Sequence, residues 1–241
     1  MVSKNQLKLI KSLHQKKYRN IQQLFFVEGV KTVNELLNSN FKVYLIVATE
    51  AQAATIAYKN LKIISETDLK QVSALHTPSG VLGVFEMPNE KKIGDEDWVL
   101  ALDAVQDPGN LGTIIRLCDW FGIKHLVCSQ GTVDCYNPKT LQATMGSITR
   151  VGIAYTDLNI FLEKQQLPVY GAFMDGDTVY GKKLRSPGVL VLGNEANGIS
   201  EGVAHQIPNK IAIPQFGEQR TESLNVATAA AIMLSEIRRP D

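Results

Sequence analysis

The sequence predicts an α/β protein built from two domains. Short apolar runs such as "KVYLIVA" (42–48) and "WVLALDA" (98–104) alternate with stretches of helical period. Capping residues, glycines and prolines fall between them. One polar, charged, turn-rich segment, "PNEKKIGDED" (88–97), interrupts the alternation. Residues 1–92 and 93–241 are therefore read as separate domains, each within the usual size range.

In the front half, residues 3–17 have helical period. Ser3 can cap, and Leu7, Ile10 and Leu13 share one arc while Lys4, Lys8 and Lys11 recur on another. "LFFVEG" (24–29) reads as a strand, "VKTVNELLNS" as a helix and "KVYLIVA" as a buried strand. "EAQAATIAY" reads as a helix and "LKII" as a strand. Ser65 opens a capping-box-like S-x-x-D before a helix to about Leu75. "HTPSG" is a turn and "VLGVFEM" the last strand of this half.

The alternation then restarts. Strands are expected at 98–105, 123–129, 151–155, 168–174, 189–193 and 210–214, and helices at 109–121, 138–147, 157–166 and 223–238. The stretch "GDTVYGKK" (176–183) approaches a P-loop, but Lys183 replaces the magnesium-binding hydroxyl, and it reads as a surface turn.

Composition narrows the function. The chain is 44% apolar and 20% charged, as in an ordinary globular enzyme. No apolar stretch reaches the ~18 residues that span a bilayer. Cys118, Cys128 and Cys135 form no CxxC, and the four histidines form no ligand pair, so neither a disulfide framework nor a metal site is expected. Free thiols fit a reducing compartment, here the cytoplasm. Residues 1–92 carry 13 basic and 7 acidic side chains, and residues 93–241 carry 12 and 17. A basic front half on a mildly acidic back half points to a polyanion-binding part joined to a catalytic part. Lys4, Lys8, Lys11, Lys17, Arg19 and Lys31 are the candidate phosphate contacts, and a solvated helix face is the plainer reading of the same lysines.

Three stretches of the back half could carry chemistry. In "DPGNLGTIIR" (107–116), Asp107 can cap, Pro108 suits the first helical position, and Gly109 and Gly112 permit close backbone approach. In "GVLVLGNEANGIS" (188–200), small and amide residues and Glu195 follow an apolar strand, where open α/β sheets bind ligands. In "IAIPQFGEQRTESLNVATAAAI" (211–232), a strand ends at Pro214, and Ser223 is expected to cap a long Ala-rich helix with Asn225 in its first turn. A dinucleotide-binding fold is disfavoured, because the glycines read G-x-x-G and no acid closes the second strand.

Those three stretches, in this order, resemble the motifs of the SpoU (TrmH-like) branch of the SPOUT RNA methyltransferases. "DPGNLGTIIR" resembles N-x-G-x-x-x-R, "LGNEANGI" resembles G-N-E-x-x-G-[IL], and "IAIP…SLNVATAAAI" resembles I-P…S-L-N-V-[AS]-x-A. "FFVEGVKTVNELL" and "TPSGVLGVF" resemble the L30e-like substrate-binding domain often fused to these enzymes, so the likeness covers nearly the whole chain. It implies a C-terminal α/β knot with a deep trefoil, S-adenosylmethionine as cofactor, a homodimer, and methyl transfer to a ribose 2′-OH of rRNA or else tRNA. Leu192, Gly193, Ile213, Pro214 and Leu224 would hold the cofactor. Arg116, Asn110, Glu195, Ser223 and Asn225 would form the catalytic set, with Arg116 steadying the developing alkoxide. The loop from Gly217 to Ser223 is about two residues longer than is usual in the family and carries Arg220. The alternative is an RNA-binding dimer without activity.

Overall fold

A computed structural model describes residues 1–89, 92–181, 184, 186–217 and 223–239. The chain forms two compact units. One comprises Met1–Asn89 with Asp134–Thr149, the other Glu90–Val133 with Arg150–Asp241. One boundary thus falls in the expected linker. The sequence reading did not assign Asp134–Thr149 to the front unit.

The front unit opens with α1 (Lys4–Ser12) and α2 (Lys16–Gln22). Ser3 Oγ accepts from Gln6 N at 3.3 Å and Gln6 Oε1 accepts from Ser3 N at 3.0 Å, a complete capping box. The single helix expected over 3–17 is broken. Arg19 Nη1 donates to Leu13 O at 2.8 Å and His14 O at 3.0 Å, carbonyls that a continuing helix would need for its own N–H groups. The chain continues as β1 (Leu24–Glu28), α3 (Val30–Leu37), β2 (Val43–Ala48), α4 (Glu50–Ala53), β3 (Lys62–Ile63), α5 (Glu66–Val72) and β4 (Val81–Glu86). The helix expected over "EAQAATIAY" is one turn only.

The strands form a sheet in the order β1-β4-β2-β3, antiparallel except between β2 and β3. Phe26, Leu45, Val47, Leu82 and Val84 pack with Ile10, Leu13, Leu69 and Val72 as its core. Successive side chains of a strand point to opposite faces. Phe25 accordingly stacks against Phe85 and, at 4.7 Å between ring centroids, Tyr136.

The second unit contains β5 (Val99–Leu102), α6 (Pro108–Trp120) and β6 (His125–Ser129). After β6 the chain supplies α7 (Pro138–Thr144) and a 3-10 turn (Ser147–Thr149) to the front unit. It returns as β7 (Gly152–Thr156), α8 (Leu158–Glu163), β8 (Val169–Thr178), β9 (Val189–Leu192), α9 (Glu201–Ala204), β10 (Asn209–Ala212) and α10 (Val226–Ile237). The sheet order is β10-β8-β9-β5-β6-β7, and every pair is parallel. Its central strands β5 and β9 are buried along their whole length, the pattern of a sheet covered on both faces. The part of "GDTVYGKK" through Thr178 belongs to β8 rather than to a turn. A Cβ at Gly176 would lie 2.7 Å from Ile211 N, so this glycine admits the backbone of β10. Lys182 and Lys183 lie outside the described residues.

Candidate active site

In a parallel sheet the carboxyl ends of neighbouring strands lie along one edge, and ligands bind there. The registers Leu102↔Leu192 and Leu102↔Cys128 align the ends of β5, β9 and β6. Asp103 N donates to Leu192 O at 2.9 Å, so the loops after β5 and β9 start side by side.

The loop after β5 enters α6. Asp107 is the N-cap, its Oδ1 accepting from Asn110 N at 2.8 Å, and Pro108 begins the helix. The loop after β9 folds back on itself. Asn194 and Gly198 exchange two backbone hydrogen bonds, and a Cβ at Gly193 would lie 2.1 Å from Gly198 C. Only glycine fits there. Glu195 is then delivered to the start of α6. Its Oε1 accepts from Asn110 Nδ2 at 3.0 Å and Asp107 N at 3.2 Å, and its Oε2 accepts from Gln106 N at 3.2 Å.

The third loop enters α10. Asn225, not Ser223, is the N-cap: its Oδ1 accepts from Ala227 N at 2.9 Å and Thr228 N at 3.2 Å. Its Nδ2 donates to Asn110 Oδ1 at 2.9 Å. One chain of hydrogen bonds, Asn225–Asn110–Glu195, therefore ties all three motif segments together. Glu195 anchors it as a carboxylate. Burial raises its carboxyl, but hydrogen bonds from the Asn110 side chain and from the backbone of Glu195, Gln106 and Asp107 outweigh burial and hold it below the usual glutamate range. Its two oxygens are engaged with the protein, which makes Glu195 a clamp on the start of α6.

Arg116 stands apart from that chain. It is exposed and makes no hydrogen bond or ion pair among the described residues. Six positions beyond Asn110, it lies on a different side of α6, in an exposed stripe with Thr113 and Trp120. Trp120 is 84% exposed. Ser223 and Leu224 are also exposed, whereas Ile213, Pro214 and Gly193 are half-buried. Leu192 is buried and its carbonyl is occupied by Asp103 N, so it contributes to the wall of the core rather than a free contact. Arg220 and the rest of the longer loop, residues 218–222, lie outside the described residues.

Several supporting residues were not singled out from sequence. Asp103, buried at the end of β5, accepts from Ser200 N at 2.8 Å and Ser200 Oγ at 2.6 Å. Ala104 has φ of +54°, which L-residues reach at a cost of about 1–2 kcal/mol. Ser129 Oγ accepts from its N–H at 2.8 Å, and Asn194 Nδ2 donates to its carbonyl at 2.6 Å. The polar Asp103 closing an apolar strand was a visible signal; its partner 97 residues away was not.

Among the lysines, Lys4, Lys8, Lys11, Lys17 and Lys31 are exposed. Arg19 is a correction. It is 2% exposed, its guanidinium pairs with Asp134 and donates to two carbonyls, and no donor faces a phosphate. No group of three metal-ligating side chains exists among the described residues. None of their helices is long and apolar enough to cross a membrane.

The donor set suits an organic cofactor held by loops. Gly193, Ile213 and Pro214 offer half-buried backbone and apolar surface at the sheet edge, beside polar groups already tied to one another.

Comparison with known proteins agrees with this arrangement. Residues 97–235 match the model of the SpoU rRNA Methylase family, and residues 4–83 match the MRM3-like substrate binding domain. The chain is 33% identical to the 23S rRNA (guanosine(2553)-2′-O)-methyltransferase RlmP of Bacillus subtilis, over 98% of this chain and 97% of that protein. A solved TrmH-family structure from Porphyromonas gingivalis superposes with a TM-score of 0.88 at 40% identity, covering 99% of this chain and 98% of the other. An AdoMet-bound rRNA methyltransferase from Sinorhizobium meliloti superposes with a TM-score of 0.86 at 32% identity, covering 99% and 96%. With both of its halves matched, the chain belongs to the SpoU rRNA methylase family and carries an MRM3-like substrate-binding domain ahead of the methylase.

Proposed function

We propose that the chain methylates a ribose 2′-OH of rRNA, using S-adenosylmethionine. The observation that carries this reading is the Asn225–Asn110–Glu195 chain, which fixes three loops at the sheet edge and leaves Arg116 unengaged on the exposed side of the same helix. The named relatives that act on rRNA, one of them solved with AdoMet, support it.

S-adenosylmethionine supplies a methyl group already activated by its sulfonium. The chain therefore has to align the sugar hydroxyl and stabilise the negative charge that develops on its oxygen. Gly193, Ile213, Pro214 and Leu224 hold the cofactor, largely through backbone. Asn110 and Asn225 fix the first turns of α6 and α10, and Ser223 faces solvent beside them. A guanidinium stays protonated below about pH 12, so Arg116 acts as a fork of donors to the phosphate and the developing alkoxide rather than as a base. The exposed Lys4, Lys8, Lys11, Lys17 and Lys31 contact RNA phosphates.

A homodimer belongs to the same reading. Trp120 lies one turn beyond Arg116 on the exposed side of α6, so a second copy that covers the indole also borders the catalytic guanidinium. A trefoil threading of the C-terminal segment goes with the family, supported by a strand order in which β9 and β10 lie on either side of β8. A cytoplasmic location is supported by three buried cysteines, none of them in a disulfide.

The test is mapping of 2′-O-methyl sites in rRNA from cells with and without the gene. One or a few sites should disappear and return with the intact gene. Arg116→Ala should fail to restore them, with turnover down by about 10²–10³ or more and cofactor affinity within about twofold. An unchanged methylation map would overturn the proposal.

A further inference from the structure

The front unit holds a cavity of about 240 Å³ that the chemistry above does not use. Its walls come from the end of β1, the first turn of α3, the segment after α5 and one side of α7. They include Phe26, Glu28, Thr32, Leu75, Lys139 and Ala143. At about 30 Å³ per water molecule the space exceeds a single structural water, and it falls below the range of drug-sized pockets. One planar heterocycle matches it.

The lining is mainly apolar, with one buried carboxylate. Glu28 is 4% exposed. Ser73 Oγ donates to its Oε2 and Ala74 N donates to its Oε1 at 2.7 Å. No cation forms an ion pair with it among the described residues. Burial raises its carboxyl above the usual glutamate range, against the opposing pull of Ser73, Ala74 and His14. A carboxylate has about four lone-pair sites, so each oxygen keeps one acceptor position. Among the RNA bases only guanine presents two adjacent donors, N1–H and the N2 amine, on its Watson–Crick edge. Sequence-specific proteins read unstacked RNA bases by that edge. Lys139 at the cavity and Lys31 beside Thr32 are exposed cations suited to a neighbouring phosphate.

We propose that this cavity receives one unstacked guanine of the RNA substrate, with Glu28 accepting from N1–H and the N2 amine. The inference rests on reading the front unit as RNA-binding.

The test uses the full-length protein. Ala143→Leu narrows the cavity, and Glu28→Gln keeps its shape while removing the paired acceptors. Steady-state methylation of unmethylated large-subunit rRNA transcripts gives KM and kcat, and cofactor titration and thermal melting serve as controls. With the cofactor site saturated by S-adenosylhomocysteine, saturation-transfer NMR compares guanosine and adenosine 5′-monophosphates. Both variants should raise KM for RNA about tenfold, the scale of one bidentate base contact, with kcat and cofactor affinity unchanged. The guanosine nucleotide should show contact that the adenosine nucleotide lacks and that Ala143→Leu abolishes. An Ala143→Leu protein that melts normally and keeps its KM would overturn the proposal while leaving the RNA reading intact, as would equal contact by the two nucleotides. Absence of RNA binding by the unaltered protein would defeat the functional reading and this proposal with it.

Discussion

Single atoms decide much of the chemistry at Gly193 and Glu195. Both stand out in the sequence, because a G-N-E triplet directly after an apolar strand is a local pattern. The reason for the glycine was not: the obstructing atoms belong to Gly198 and Ile199, 2.1 and 2.2 Å from a would-be Cβ. Gly193→Ala must push the turn open. At about 1–3 kcal/mol for such a displacement, cofactor affinity should fall about tenfold or more, measurable by calorimetric titration. Glu195 sets a pH dependence. Its folded carboxyl titrates below its ordinary value, so its contribution to stability is full above about pH 4.5 and is lost as pH falls through the folded value. Asp97, lowered chiefly by its hydrogen bonds from Arg238, acts in the same direction. Glu195→Gln should flatten that acid limb in melting curves recorded between about pH 3 and 6. Arg19 shows where residue-level reading fails. Its charge is plain in the sequence, but its partner Asp134 is 115 residues away.

At the scale of elements, a helix start is specified where a capping side chain and a proline coincide, and is misplaced by a few residues where they do not. Asp107 and Pro108 mark the start of α6 by side-chain chemistry alone. For α10 the cap expected at Ser223 falls at Asn225, two residues later, where one amide serves both the helix and Asn110. That dual role is testable. Asn225→Asp keeps the capping oxygen and loses the donor to Asn110, so it should melt near the wild type with methylation reduced. Asn225→Ala loses both functions and should also lose about 1 kcal/mol of stability in denaturant titrations. The far ends of α6 and α10 are joined by Arg238, whose Nε donates to Phe121 O at 2.8 Å and whose guanidinium forks onto Asp97. No local pattern announces such a clasp.

At the scale of the molecule, the basic front half and the methylase half are separate units, but the chain does not respect a single cut. Asp134–Thr149 leaves the parallel sheet after β6 and packs with the front unit through the Arg19–Asp134 pair and the Phe25–Tyr136 contact. The exposed lysines of α1, α2 and α3 remain available to a polyanion. Binding to rRNA transcripts should weaken steeply with salt, with a log–log slope that becomes shallower by about 0.7–0.9 for each lysine that contacts a phosphate when changed to alanine. An unchanged slope in the combined Lys4, Lys8 and Lys11 alanine variant would return those side chains to a solvated face.

The sequence by itself determined the α/β class, the three loop motifs and the family. All of these are written in stretches short enough for period, capping and motif to specify. Only the tertiary structure decided that Glu195 serves as a clamp, that Arg19 is buried, that Asn225 is the cap, and that Asp134–Thr149 joins the front unit. Each of those depends on a partner many residues distant. A side chain's role is set by the groups that satisfy its hydrogen bonds and exclude its water, and chain folding, not sequence adjacency, brings those groups together.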